Sequence, residues 1–367
     1  MKVESIYIQN FKKIQDLRVS FKNKILDEVS DRFLILGDNG SGKTTLLQAI
    51  ALPLALATGR IQKVSDFDWI GFLPGRYWRW GTPRIELEVS FEEEELEATR
   101  EIAKIWYHSL PPDFRPDPFI VPGNSRVVKV ILNGEHWKVG DNTQAERAQF
   151  RGRYYAQSFI NRGDQSVRHY FSQLPGIFWF DQFRNLGTPS QEAGEGNKEL
   201  RSETSFELGV GRLRQYLIRW KRKQEAGINY ENDYLKQLEK LYKKVFPDRC
   251  FAEYLEELPS LDSPTEEITY FLLNDGNRTY DVAEMSAGEQ SIFPILYEFV
   301  RQQIAYSVVL IDEIDLNLHP SSSQFLTGQL MRIAPTCQFI ITTHSEAVSN
   351  VISESDIYRL SGGVLCL

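Results

Sequence analysis

The chain has 367 residues, of which 42% are hydrophobic and 25% charged. This length and composition are typical of a globular protein with one large domain or two ordinary ones. The formal net charge of −8 argues against a surface covered with nucleic-acid-binding charge. The longest apolar run, residues 49–57, is too short to span a bilayer, and the first residues lack the apolar core of a signal peptide. We therefore expect a cytoplasmic protein with no membrane partner.

The first half of the chain alternates between strand and helix patterns. Period-two alternation and β-branched residues predict strands, whereas longer runs of good helix formers predict helices. The predicted strands are residues 3–10, 17–21, 32–36, 84–91, 126–132 and 177–180, and the predicted helices are residues 44–57 and 92–106. Residues 59–81, which are rich in Trp, Gly and Pro, are predicted to form an ordered loop.

The second half begins at residues 188–201, a segment rich in Gly, Glu, Ser and Asn that marks a candidate boundary. Helical spacing then predicts a hairpin of two helices, and after Pro259 the chain returns to an alternation of strands and helices that is typical of a parallel sheet. These helices are residues 206–224 and 232–245, and the later elements are residues 268–273, 279–282, 288–303, 307–311, 321–333 and 337–342. We therefore predict three parts, residues 1–187, 188–262 and 263–367.

Residues 37–44, Gly-Asp-Asn-Gly-Ser-Gly-Lys-Thr, match the phosphate-loop pattern G-x-x-x-x-G-K-[ST] between a strand and a helix. Such a loop directs backbone N–H groups inward at a helix N-terminus and forms an anion nest. We expect Lys43 to reach the β- and γ-phosphates of ATP and the Thr44 hydroxyl to bind Mg²⁺; the alternative is a Gly-rich turn without a ligand. The predicted nucleotide-binding residues of the loop are Gly37, Asn39, Gly40, Ser41, Gly42, Lys43, Thr44 and Thr45.

The apolar strand at residues 307–311 is followed directly by two carboxylates. Strand ends of a parallel sheet meet at one edge, where ligands bind. We predict that Asp312 holds Mg²⁺ and that Glu313 is the catalytic residue that polarises the attacking water. A solvated strand end is the alternative.

Two further motifs have both a structural and a functional interpretation. Ser286 and Glu289 have the spacing of a helix-capping box, and a capped helix N-terminus is also a phosphate-binding device. His344 follows the next predicted strand, where it is either a structural histidine or a residue that hydrogen-bonds the γ-phosphate and reports its presence. In the company of the other motifs, the functional interpretation is favoured for both.

These four motifs, in this order, resemble those of the ABC-type ATPases, in particular the soluble RecF, SMC and OLD-like proteins. Residues 8–14 are similar to the opening strand of that group, and residues 314–320 are similar to its D-loop. The resemblance covers roughly residues 1–58 and 265–350. It implies an α/β fold, an ABC-ATPase head with a mixed sheet flanked by helices, here with a helical-hairpin insertion.

The resemblance also implies a homodimer in which two subunits enclose two ATP molecules. Lys43 and Thr44 of one subunit would share a nucleotide with Ser286, Gly288 and Glu289 of the other. Lys12 matches a basic position that contacts nucleotide in the family. A family glutamine that binds nucleotide and Mg²⁺ corresponds to Gln182, to Gln157 or to neither, since a plain surface amide fits either residue equally.

Members of the OLD-like group often carry a C-terminal TOPRIM nuclease, whereas only about twenty residues follow the histidine motif here. We therefore expect any effector, such as a nuclease, to be a separate polypeptide. One hypothesis is an ATPase that dimerises around ATP and couples this to DNA or to an effector, in antiphage defence or DNA repair. The other is an ATP-gated scaffold that restrains a nuclease or toxin with little turnover. The motor subunit of a transporter fits the motifs but not the opening strand or the hairpin.

Contact with DNA would require a basic surface on the protein. The predicted hairpin carries a run of basic residues that contact phosphate or, alternatively, form a solvated helix face. They are Arg212, Arg214, Arg219, Lys221, Arg222 and Lys223.

Overall fold

The computed structural model describes residues 1–78, 81–180, 205–227, 233–259, 267–316 and 318–360. The strands, in chain order, are β1 (Lys2–Phe11), β2 (Ile14–Ser20), β3 (Arg32–Leu36), β4 (Arg84–Ser90), β5 (Val127–Asn133), β6 (His136–Val139), β7 (Gly176–Phe180), β8 (Cys250–Pro259), β9 (Glu267–Asn274), β10 (Thr279–Asp281), β11 (Ser307–Ile311), β12 (Gln338–Thr343) and β13 (Ile357–Arg359). The helices are α1 (Lys43–Thr58), α2 (Glu93–Ser109), α3 (Gln144–Gln149), α4 (Gly152–Ile160), α5 (Ser205–Glu225), α6 (Tyr234–Val245), α7 (Ala287–Arg301), α8 (Pro320–Ile333) and α9 (Glu346–Ser349), with short 3₁₀ turns between elements.

The chain divides into two compact units. The first comprises Met1–Gln182, Gln303–Asp315 and Leu330–Leu367, and the second comprises Phe183–Gln302 and Leu316–Gln329.

The parallel sheet of the first unit has the strand order β13-β3-β12-β11-β7. Every residue of β11 and β12 is buried, as expected for strands covered on both faces. Because the strands are parallel, the segments that follow β3, β11 and β12 all leave the same edge of the sheet. The fold thus brings the phosphate loop, the two carboxylates and the histidine motif to one edge.

The antiparallel sheet of the first unit has the order β2-β1-β4-β5-β6. Alternate side chains of β4, such as Ile85, Leu87 and Val89, are fully buried, as one face of an antiparallel sheet requires. Helix α1 contacts strands of both sheets and is buried along its whole length except at Thr44. A helix that is apolar all round needs such an enclosed position. The phosphate loop is therefore attached to the most buried helix of the unit.

The second unit contains the two predicted hairpin helices, α5 and α6, and the three-stranded antiparallel sheet β10-β9-β8. Helix α6 contacts α5, α7 and β8, and α5 contacts β9. Aromatic rings join these helices, since the Trp220 ring lies 5.4 Å from the rings of both Tyr234 and Tyr297.

The predicted α/β class is confirmed, although the strands of the first unit form an antiparallel and a parallel sheet instead of one mixed sheet. The segment 188–201 lies outside the described residues, and the three-part division stays a prediction. Among the described residues, no helix is both long and apolar enough to cross a membrane.

Candidate functional site

The phosphate loop, residues 37–44, connects β3 to α1 and depends on glycine at three positions. A Cβ at Gly37 would lie 2.8 Å from Ser41 Oγ and 2.9 Å from the Leu360 carbonyl oxygen, closer than carbon atoms approach such neighbours. Gly40 and Gly42 have φ values of 81° and 111°, a left-handed conformation that glycine adopts without steric cost. The pattern that identified the loop is thus the one that its backbone requires.

The Lys43 ammonium lies inside the loop. Its Nζ donates to the carbonyl oxygens of Gly37 at 2.7 Å and Asp38 at 3.0 Å. Burial lowers the pKa of Lys43, and nearby carboxylates, Glu313 foremost, act against that shift. The loop therefore holds one cation within a ring of backbone dipoles.

The hydroxyl of Ser41 is buried and has no hydrogen-bond partner among the described residues. Buried hydroxyls are normally bonded, so an unpartnered one calls for an explanation. A phosphate oxygen in the anion nest would accept from it. The residues present thus fit a bound nucleotide phosphate.

Thr44 and the buried Asp312 are in direct contact. The Thr44 hydroxyl donates to Asp312 Oδ2 at 2.7 Å, and the Thr342 hydroxyl donates to Asp312 Oδ1 at 2.6 Å. Oxygen ligands of this kind suit Mg²⁺, which takes one or two protein oxygens beside waters and phosphates. In the described part of the chain no group of three or more His, Cys, Asp or Glu forms a self-sufficient metal site. Thr44 and Asp312 thus fit a cation whose remaining ligands would be water and nucleotide phosphate oxygens.

Glu313 has a φ of 46°, a conformation rarely adopted by residues other than glycine. Its backbone N–H donates to Thr342 Oγ1 at 2.9 Å. Such strain costs about 1–3 kcal/mol and persists where the surroundings enforce it, often at functional sites. Thr342 therefore holds both acidic residues at the end of β11. Thr342 begins the histidine motif, but the sequence analysis gave it no role of its own, because its hydrogen-bond partners lie 29 and 30 residues away in the chain.

His344 is exposed and follows β12, as predicted. Its Nδ1 lies 3.7 Å from Asp315 Oδ2, and Asp315 also accepts a hydrogen bond from the Thr343 hydroxyl. The histidine motif and residue 315 of the predicted D-loop are thus side by side, while Asn317 of that loop lies outside the described residues.

The two basic residues after β1 have different surroundings. Lys12 Nζ donates to Gln48 Oε1 at 2.8 Å and to the Gly71 carbonyl oxygen at 2.9 Å. Lys13 Nζ instead donates to the carbonyl oxygen of Gly40 in the phosphate loop. The structure places Lys13 on the loop, a contact that the sequence analysis missed, and the predicted nucleotide contact of Lys12 stays a prediction.

In the second unit, Ser286 is the N-cap of α7 and forms a capping box with Glu289. The Ser286 hydroxyl donates to Glu289 Oε2 at 2.7 Å, and Ser286 itself is exposed. Glu289 is only 1% exposed and contacts protein groups, so its influence on a nucleotide would pass through Ser286. Gly288 is half-buried, with Leu318 Cδ2 3.4 Å from the position of a Cβ.

The family glutamine is not located. Gln182 lies outside the described residues. The rival, Gln157, is exposed on α4 and donates to Asn161 Oδ1 at 2.9 Å, as a surface amide does.

The basic residues of α5 have protein partners. Arg214 Nε lies 3.1 Å from Asp281 Oδ1, and Arg222 lies 3.4 Å from Glu257. The Arg219 guanidinium stacks over the Tyr216 ring at 5.7 Å. Lys221 Nζ lies 4.0 Å from Glu225 Oε1. The remaining members are Lys223 and Arg212, and the side chain of Arg212 lies outside the described part.

Two family models match separate parts of the chain. One, described as "AAA ATPase domain", matches residues 1–150, and the other, described as "AAA domain, putative AbiEii toxin, Type IV TA system", matches residues 170–350. The chain is 22% identical to the retron Vc95 probable ATPase of Vibrio cholerae serotype O1 biovar El Tor, over 97% of this chain and 73% of that protein. It is 20% identical to the retron Ec83 probable ATPase of Escherichia coli, over 99% of this chain and 72% of that protein.

The chain is also 23% identical to the Septu protein PtuA of Bacillus mycoides (strain KBAB4), over 94% of this chain but only 38% of that longer protein. Among solved structures, an SMC head bound to the C-winged helix domain of ScpA matches the fold with a TM-score of 0.51 at 12% identity, covering 96% of this chain and 92% of that one.

The fold and the motifs together define a nucleotide-binding head. The family models, the retron relatives and the fold together support an ABC-like P-loop ATPase of the RecF, SMC and OLD branch.

Proposed function

We propose that this protein binds and hydrolyses ATP, dimerises around it, and passes the change of state to a separate effector protein in antiphage defence. The observation that carries the nucleotide part is the chain of contacts Thr44–Asp312–Thr342 beside the unpartnered Ser41 hydroxyl. The retron ATPases and the Septu protein among the relatives support the defence role.

In this proposal each residue at the sheet edge has a defined task. Lys43 and the loop N–H groups bind the β- and γ-phosphates. Mg²⁺, held by Thr44 and Asp312, would neutralise charge on the phosphates. Glu313 orients the attacking water and takes up its proton, and Thr342 holds its left-handed backbone in place. His344 hydrogen-bonds the γ-phosphate and so distinguishes ATP from ADP.

The chain contains one complete set of motifs, so a second copy would complete each site. Ser286 is exposed at the capped start of α7, where it is accessible to the nucleotide of a partner subunit. We therefore propose a homodimer with two composite ATP sites. Because each ATP would contact both subunits, ATP binding favours the associated form over the separate subunits, and this makes the dimer a switch.

Two substitutions test this function. Lys43→Ala removes the phosphate-binding cation and is expected to abolish ATP binding. Glu313→Gln keeps the size of the side chain but removes the base, so turnover should fall by about 10²–10⁴-fold while ATP binding remains. In light scattering, Glu313→Gln with ATP should be dimeric and Lys43→Ala monomeric. A monomeric Glu313→Gln protein that still hydrolyses ATP would contradict the composite-site mechanism.

A protein effector is favoured over DNA by the contacts of α5. Arg214 and Arg222 are in contact with carboxylates of the same unit, which reduces the positive charge available to phosphate. DNA engagement predicts an affinity for duplex DNA that falls steeply with salt, whereas the effector proposal predicts no such binding.

The alternative to turnover is an ATP-gated scaffold that restrains a nuclease or toxin. It would retain ATP-dependent dimerisation and effector binding in a wild-type protein that hydrolyses ATP no faster than Glu313→Gln. A comparison of the two turnover rates therefore separates the two functions.

A further inference from the structure

The Glu289 carboxylate is the centre of a buried hydrogen-bond network in the second unit. Its Oε2 accepts from the backbone N–H of Ser286 at 3.0 Å and from the Ser286 hydroxyl at 2.7 Å. Its Oε1 accepts from the hydroxyls of Tyr242 and Tyr280, each at 2.5 Å, and from Arg249 Nη1 at 2.8 Å. One oxygen thus serves the capping box, and the other serves residues from elsewhere in the unit.

A capping box needs only the first of these oxygens. The glutamate of such a box bonds the N-cap residue and gains nothing from burial. Here the carboxylate is 1% exposed, and burial of an ionised group is costly unless donors compensate it. Burial raises the pKa of Glu289, but the hydrogen bonds from Tyr242, Tyr280 and Ser286 outweigh it and leave the pKa below its ordinary value. The donors on both oxygens therefore favour the charged carboxylate, and those at Oε1 hold it in place.

The three donors come from separate elements. Tyr242 lies in α6, Arg249 lies between α6 and β8, and Tyr280 lies in β10. Together they fix the direction of a carboxylate whose other oxygen holds the exposed Ser286. The orientation of Ser286 is thus set by groups that lie up to 47 residues from Glu289 in the chain.

The other end of the same segment is held in a similar way. Asp281, which is 5% exposed, caps the 3₁₀ turn Val282–Glu284 by accepting from the Ala283 N–H at 2.9 Å. Arg214 of α5 donates to the same carboxylate through Nε at 3.1 Å. Both helices of the hairpin therefore contact an acidic residue that flanks Ser286 in sequence.

We propose that Tyr242, Tyr280 and Arg249 are positioning residues, which orient Ser286 toward the partner subunit's nucleotide by holding the Glu289 carboxylate. This inference rests on the composite site proposed above. It assigns the helical hairpin a part in closing the dimer. A substitution in α6 would change the orientation of Ser286 and leave the phosphate loop of the same subunit unchanged.

The test uses the full-length Glu313→Gln protein as background and adds Tyr242→Phe and Tyr280→Phe together. The matched control is Tyr297→Phe on α7: Tyr297 is 3% exposed, and its hydroxyl has no hydrogen-bond partner among the described residues. The control thus removes one buried phenol oxygen from the same unit without removing a hydrogen bond.

Hydrogen exchange reports whether these residues support the cap at Ser286, and ATP-dependent dimerisation reports whether that support matters for the composite site. Hydrogen exchange of the peptide around residues 286–290 should become roughly tenfold faster in the double variant and remain unchanged in Tyr297→Phe, because the cap loses its support. ATP-dependent dimerisation should weaken by about tenfold or more, while the affinity of the monomer for a fluorescent ATP analogue changes by less than about twofold. A loss of ATP affinity equal to the loss of dimerisation would indicate general destabilisation and overturn the proposal.

Exchange and dimerisation that both match those of Tyr297→Phe would also overturn it. If the unmodified Glu313→Gln protein fails to dimerise with ATP, the composite-site function is wrong, and the exchange experiment still decides whether these residues position Ser286. If the double variant does not fold, Tyr242→Phe alone supplies the same comparison with a smaller expected effect.

Discussion

Thr342→Val is the substitution that tests most directly how the sheet edge holds its two carboxylates. Thr342 is fully buried, and its hydroxyl both donates to Asp312 at 2.6 Å and accepts from the Glu313 N–H at 2.9 Å. Valine has the same shape and leaves no cavity, so the change isolates these two hydrogen bonds. The bond to the carboxylate contributes about 1.5–3 kcal/mol and the bond from the N–H about 0.5–1.5 kcal/mol.

We therefore expect the free energy of unfolding to fall by about 2–4.5 kcal/mol, measured by urea denaturation with an unchanged dependence on denaturant. ATP turnover should fall as well, since Glu313 loses the contact that holds its left-handed backbone. The expectation concerns both quantities, because one hydroxyl serves both acidic residues.

Thr58→Val is the matched control. The Thr58 hydroxyl is also buried, but it donates to the Leu54 carbonyl oxygen inside α1 at 2.8 Å, an acceptor already used by the helix. Its loss should cost about 1 kcal/mol or less and leave turnover unchanged. The reasoning is refuted if Thr342→Val is no less stable than Thr58→Val and hydrolyses ATP at the wild-type rate.

Two further predictions concern the phosphate loop and a buried thiol. Gly37→Ala places a methyl group against Ser41 and the Leu360 carbonyl, so we expect ATP affinity, measured by fluorescence titration, to drop by about tenfold or more, whereas Gly75→Ala, with open space around its Cβ, should bind normally. Burial raises the pKa of the Cys337 thiol to about 11. At pH 8 iodoacetamide should therefore spare Cys337 in the folded protein and label it after denaturation, while the partly exposed Cys250 reacts first; equal labelling of both in the folded state would contradict this burial.

The elements that carry the phosphate loop could be predicted from sequence because their signals are local. A short apolar strand, glycines at fixed offsets and a helix of good helix formers lie within residues 32–57, and each signal depends on its immediate neighbours. The carboxylates at 312–313 and His344 were located for a similar reason, since both follow apolar strands. Their placement at one edge required only that the strands be parallel.

What the sequence did not reveal depends on register and on distant partners. Thr342 meets Asp312 because β12 pairs with β11 in one particular alignment, with Ile341 opposite Ile311. Lys13, and not Lys12, meets the phosphate loop because the chain turns after β1, with Lys12 in a left-handed conformation. Neither fact leaves a pattern in the sequence.

Strand β8 was missed for a different reason. Its sequence, Cys-Phe-Ala-Glu-Tyr-Leu-Glu-Glu-Leu-Pro, contains residues that favour helices and lacks strict alternation. A register shift between Phe251 and Leu255 interrupts its pairing with β9, so the period of two is broken within the strand. Tertiary pairing, and not intrinsic preference, makes this segment a strand.

The capping and nucleotide-binding interpretations of Ser286 are not alternatives once the burial of Glu289 is considered. A box that only terminates a helix also works with a solvent-exposed glutamate, and replacing its N-cap residue by Ala costs about 1 kcal/mol. A box whose glutamate is bonded to Tyr242, Tyr280 and Arg249 holds one exposed hydroxyl in a fixed direction. A helix end in water gains nothing from a hydroxyl held in one direction. A hydroxyl that must bond a phosphate across a subunit interface does gain, because a hydrogen bond weakens steeply with misalignment. In the composite site proposed above, the buried Glu289 carboxylate would give Ser286 the fixed direction that a contact with the partner subunit's nucleotide needs.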